Sequence, residues 1–171
     1  MTDLLAFIAG RLRGQLLDMG YRYDVVDAVL AEQGHNPHKT LLAVKQLAEW
    51  AKLPDWPQIL AAYSRCVRIT RDQKEIYPVS SDRFIEPAEK ELYAAYQRAS
   101  AIREAGTRSA AASVDQFFAA LLLMIPPISK FFDDVLVMAE DQSLRENRLG
   151  LLQRIAGMAQ GVADFSKLEG F

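Results

Sequence analysis

Arg65, Arg68 and Arg71 recur at every third residue, and on a helix turning about 100° per residue they fall within an arc of about 120°. Guanidinium groups in such a row suit phosphate oxygens, which they meet as planar, permanently charged donors. The same row on an exposed helix face is commonly just solvated. Asp133, Asp134, Glu140 and Asp141 form the second conspicuous group. Paired carboxylates do acid and base work, or hold a divalent cation, only in a pocket that separates their environments, and nothing in the spacing supplies one. Asp141 stands where it caps the final helix, so a structural role is expected for the cluster. His35 and His38 make an H-x-x-H pair inside a Gly/Asn/Pro loop with no third His or Cys, which predicts a solvated loop and no metal site. There is no phosphate-cradling glycine loop, no Ser/His/Asp arrangement and no Cys-x-x-Cys pair, so no catalytic residue is assigned.

The chain has 171 residues, of which 50% are apolar and 25% charged, a balance that belongs to one folded domain. Its 20 Lys and Arg against 22 Asp and Glu give a net charge of -2. Any contact with a polyanion is therefore confined to a local patch, and isolated binding is expected to be weak. The single cysteine, Cys66, lies on an apolar helix face and permits no internal disulfide, which fits a reducing cytoplasm. The longest apolar run, Phe117 to Ile128, is too short to span a bilayer and contains Pro126-Pro127, so no membrane association is expected.

Helical periodicity positions these groups. A first helix from Met1 to Gly20 carries Leu4, Leu5, Ile8, Leu12 and Leu16, and Asp24 is placed to cap a second bearing Val25, Val26, Val29 and Leu30. Asn36-Pro37 opens a third through Trp50, and Asp55 opens a fourth from Trp56 to about Asp72. Lys74 to Glu86 is irregular, with Ile76, Tyr77, Phe84 and Ile85 expected to pin it to the core. Helices are predicted from Pro87 to Glu104, stopped by Gly106, and from Ser109 to Ile125, with Pro126-Pro127 turning the chain. Phe131-Phe132 and Val135 to Met138 are expected as a packing hub, before a last long helix whose stripe runs from Leu144 to Val162. The fold class is all-α, a bundle of about seven to nine helices, with residues 1–53 leading into a bundle at 54–171.

Three segments resemble the C-terminal, DALR-like anticodon-binding region of the bacterial glycyl-tRNA synthetase β subunits, a helical domain shared in outline with arginyl-tRNA synthetases. They are Tyr23 to Ala31, Ala61 to Ile69, and Phe131 to Leu152, the last resembling FFD-x-V-x-V-M-x-x-D-x-x-L-R-x-N-R-L-x-L-L. Arg68 stands where the second motif usually has asparagine, so a base-specific role does not carry over there. The resemblance implies tRNA(Gly) and an α subunit as partners, and no DNA. The aminoacylation centre, with its ATP and Mg, would lie on that α subunit, leaving no cofactor for this chain. Arg65, Arg68 and Arg71 become the expected contacts to the anticodon stem-loop, with Arg145, Asn147 and Arg148 as second candidates. Asn147 and Arg148 have an alternative role, tying the last helix to the core. The other class of function is an all-α assembly module that holds the α and β subunits together without touching RNA.

Overall fold

The computed structural model describes residues 2–107 and 113–171, and among them there are eight α-helices and no strand. They are α1 (Thr2–Asp18), α2 (Tyr23–Gln33), α3 (Pro37–Trp50), α4 (Trp56–Thr70), α5 (Pro87–Thr107), α6 (Val114–Leu122), α7 (Ile125–Asp134) and α8 (Gln142–Ala156). The all-α bundle expected from periodicity is what forms.

Local chemistry sets most of the boundaries. Gly20 closes α1 with φ of 89°, a conformation that L side chains rarely adopt. Asn36 caps α3 by accepting the Lys39 N–H at 3.1 Å, and Asp141 caps α8 by accepting that of Leu144 at 3.0 Å. Asp24 departs from expectation. It lies in the first turn of α2, buried, where it accepts Arg22 Nη2 at 2.6 Å and the Glu169 backbone N–H at 3.0 Å. Asp55 holds the cap position of α4, but its side chain makes no capping bond. The α5 helix continues past Gly106 to Thr107, and the start expected at Ser109 lies outside the described residues, as does Met1. Pro126 and Pro127 sit in the first turn of α7, where missing N–H groups cost nothing, and α6 meets α7 at a bend of 50°. The last helix ends earlier than its apolar stripe, at Ala156, and Met158 and Val162 are buried from the turn and tail that follow.

One hydrophobic core runs from Leu16 to Leu168. Helix α4 crosses its middle, packed against α8 and α7, while α5 packs against α6 and α7, and α2 against α3. Its aromatic centre is Phe117, stacked on Phe165 at 4.8 Å and edge-on to Tyr63 at 5.4 Å. Phe165 belongs to the tail, which is stitched onto α2: Asp164 N–H donates to the Ala28 carbonyl at 2.8 Å, and Gln33 Nε2 to that of Val162 at 2.7 Å. No single helix among the described residues is long and apolar enough to cross a membrane.

The segment 74–86 is pinned, though by different atoms than its composition predicts. Phe84 is buried, but Ile76 and Ile85 are exposed. The attachment comes from α8, where Asn147 brackets the Ser80 backbone, accepting its N–H at 2.7 Å and donating to its carbonyl at 3.1 Å. Gln153 does the same for Tyr77 N–H at 3.0 Å and the Glu75 carbonyl at 2.7 Å. Between them Gly150 lets the backbone approach so closely that a Cβ would lie 2.7 Å from the Tyr77 carbonyl oxygen.

Candidate nucleic-acid interface

The α4 helix is amphipathic because Ile59, Leu60, Tyr63, Cys66 and Thr70 face the core, leaving the intervening arginines outside. Arg65 and Arg68 are exposed on the helix, and Arg71 stands at its C-terminal cap. Two of the three are held by aromatic rings. The Arg65 guanidinium lies 4.3 Å from the centroid of Phe132, and that of Arg68 lies 5.9 Å from that of Phe171 while donating to the Phe171 carbonyl. Arg71 makes a long contact, 3.9 Å, with the exposed Asp72 carboxylate. A cation at a helix C-terminus is favoured by the carbonyl ends, and an exposed guanidinium held at its flat face, as that of Arg65 is, presents its edge donors outward, whereas Arg68 directs Nη2 to Phe171.

Concave surface adjoins this row. Val67, Arg68, Arg71, Ser166 and Phe171 border a hollow of about 750 Å³. A second, of about 260 Å³, shares Val67, Ser166 and Phe171 and continues toward Tyr63, Phe165 and Asp164. Tyr63 is buried there with its hydroxyl donating to the Ala156 carbonyl at 2.6 Å, and burial raises its pKa well above the ordinary phenol range. Two carboxylates stand along this wall, that of Asp164 accepting from the Ser166 N–H at 3.1 Å and that of Glu32 from the Gly161 N–H at 2.8 Å. Arg68 and Arg71 thus border one hollow, and the adjoining one, which shares Phe171, has aromatic walls and carboxylate acceptors; together they offer the groups that an unstacked base and its phosphates require.

The second set of candidates goes elsewhere. Asn147 is 1% exposed and Arg148 6%. Arg148 donates through Nε to Glu89 and through Nη1 to the Leu136 carbonyl at 2.9 Å, so both residues hold the core together and neither is presented to a ligand. Arg145 is half-buried and donates to the Ala139 carbonyl at 3.0 Å, in the first turns of α8 and apart from the α4 row. His35 and His38 are exposed, and among the described residues no three of His, Cys, Asp and Glu are grouped to hold a metal ion. Phe171 is the member of the face that the sequence left unassigned, and Phe132, expected in the packing hub, is half-buried with its ring against Arg65. The only signal for Phe132 is its pairing with Phe131, and of the two just Phe131 is fully buried.

Residues 59–162 match the DALR anticodon binding domain. Over 171 residues the chain is 40% identical to the glycine--tRNA ligase beta subunit of Paracidovorax citrulli, covering 98% of this chain and 23% of that protein. It is 33% identical over 170 residues to the beta subunit of Persephonella marina, again 98% of this chain and 23% of the relative. A plant protein, glycine--tRNA ligase, chloroplastic/mitochondrial 2 of Arabidopsis thaliana, is 33% identical over 173 residues, covering 100% of this chain and 16% of its own length. The chain therefore spans less than a quarter of the relatives it matches.

Proposed function

This chain belongs to the DALR anticodon binding domain family, and on that premise we propose that it recognises the anticodon region of tRNA(Gly) as one domain of a glycine--tRNA ligase β subunit. The observation that supports the reading is the row of Arg65, Arg68 and Arg71 on the outer side of α4, of which Arg68 and Arg71 border the hollow walled by Phe171. The arginines hold the backbone of the stem-loop, and the adjoining smaller hollow receives an unstacked base, whose exocyclic amino group suits the acceptors at Asp164 and Glu32. A glycine anticodon ends in two cytosines, which carry such amino donors.

Residues 1–53 join this bundle to the body of the longer subunit. Charging with glycine, and the ATP and Mg it needs, belongs to the α subunit in the cytoplasm, and this region's part is to place the tRNA. Binding energy gained far from the reacting ends is what orients them.

The test replaces the region in the assembled α plus β enzyme by a flexible linker and measures subunit assembly and tRNA(Gly) binding separately. Loss of tRNA binding with assembly intact is the expected result. Loss of assembly alone would make the region the module that joins the subunits.

A further inference from the structure

The acidic stretch 133–141 takes no part in the α4 face. Asp133 and Asp134 are the last residues of α7, where the helix carbonyls already concentrate negative charge, and of the two Asp134 lies in the field of Lys130 one turn earlier. After them the chain is extended and then turns. Val135 and Val137 go into the core, while Leu136 and Met138 stand outward at 72% and 52% exposure. This corrects the expected packing hub in part: Phe131, Val135 and Val137 are interior, whereas Leu136 and Met138 are not.

Ile85, itself 60% exposed, is fastened to the same base. One Glu89 oxygen accepts the Ile85 N–H at 2.8 Å and the other accepts Arg148 Nε at 2.5 Å, while Arg148 Nη1 reaches the Leu136 carbonyl at 2.9 Å. Three outward apolar side chains thus share a buried ionic support, and Asp133, Asp134 and Glu140, which flank Leu136 and Met138 in the chain, are exposed. The cations flanking the stretch are engaged, Lys130 by Glu91 at 2.7 Å and Arg145 by the Ala139 carbonyl at 3.0 Å.

We propose that this ledge docks a protein segment carrying apolar side chains between lysines and arginines. Leu136, Met138 and Ile85 supply an apolar centre, and the carboxylates select a basic partner and disfavour a phosphate backbone. The ledge is independent of the α4 reading, since none of its residues belongs to that face.

The full chain is titrated with a synthetic peptide alternating leucine with lysine, and backbone amide shifts are mapped by NMR. The expected shifts gather at Ile85 and at 133–141. The double variant Leu136→Ser/Met138→Ser weakens binding about tenfold or more, the loss expected for one or two buried aliphatic side chains. Asp133→Asn/Asp134→Asn weakens it as well, and both variants alter exposed side chains, so their thermal melts stay near that of the parent. Equal binding of a lysine–serine peptide, unchanged binding by the leucine and methionine variant, or shifts centred on α4 would overturn the proposal. So would a single-stranded RNA that shifts the 133–141 amides, which would make the ledge a nucleic-acid surface.

Discussion

Arg148 donates through Nε to Oε1 of Glu89 at 2.5 Å across 59 residues of sequence, with the two side chains 7% and 0% exposed. The second Glu89 oxygen accepts the Ile85 and Glu86 N–H groups at 2.8 and 2.7 Å, so one carboxylate caps the entry to α5 and neutralises a guanidinium on α8. Removing it orphans all three donors. Glu89→Ala is expected to destabilise the fold by about 3–5 kcal/mol, the usual cost of breaking one side of a buried pair. Urea unfolding measures this. A loss below about 1 kcal/mol, the scale of an exposed pair, would contradict the assignment.

Gly150→Ala tests the close approach of α8 to the 77–80 segment. Alanine favours a helix by about 1 kcal/mol over glycine. Here, however, the new methyl meets the Tyr77 carbonyl oxygen at 2.7 Å and Val79 Cγ2 at 3.1 Å, and the first of these is backbone. A net loss of about 1–3 kcal/mol is expected, the range for overpacking. Gly157→Ala, with open space at its Cβ and φ of -67°, should be neutral or stabilising. Similar melting temperatures for the two variants would remove the steric explanation.

Cys66 is fully buried, and that burial pushes its thiol up to about 12 from an ordinary 9.0. Because the folded value lies above the unfolded one, its contribution to stability is complete below the ordinary thiol range and is lost as pH rises through and beyond it. The raised Tyr63 hydroxyl acts in the same direction. The urea midpoint should hold steady around neutrality and fall on the alkaline side, less steeply in Cys66→Ala. Thiol reagents attack the thiolate, so labelling of native protein at neutral pH should proceed only as fast as the structure opens. Immediate stoichiometric labelling would show the thiol to be accessible.

Much of the scaffold was legible because periodicity and caps are local. Asn36 and Asp141 announce their helices, and the Arg65, Arg68 and Arg71 row follows from counting turns. The interior polar network was not. Arg148 lies four residues after Leu144 and three before Leu151, squarely on the buried stripe of α8, yet arginine is rarely interior without a partner. That partner, Glu89, sits on another helix and carries no sequence mark. For the same reason the sequence left Asn147 and Arg148 open between contacting a ligand and tying the last helix to the core, and the structure takes the second, with the Asn147 amide committed to the Ser80 backbone. The tail hides its role in the same way, since Phe165 reaches the aromatic centre only once the chain has folded back over α2.

The central claim concerns the outer side of α4. Arg65→Ala/Arg68→Ala/Arg71→Ala in the assembled α plus β enzyme changes exposed residues, so the fold should survive, and the decisive quantity is tRNA(Gly) affinity measured across a range of salt. Each phosphate neutralised contributes about 0.7–0.9 to the slope of log affinity against log salt, so losing three contacts should reduce that slope by about 2 and lower affinity at low salt by tenfold or more. An unchanged affinity with an unchanged slope would contradict the account and leave the arginine row as solvated surface.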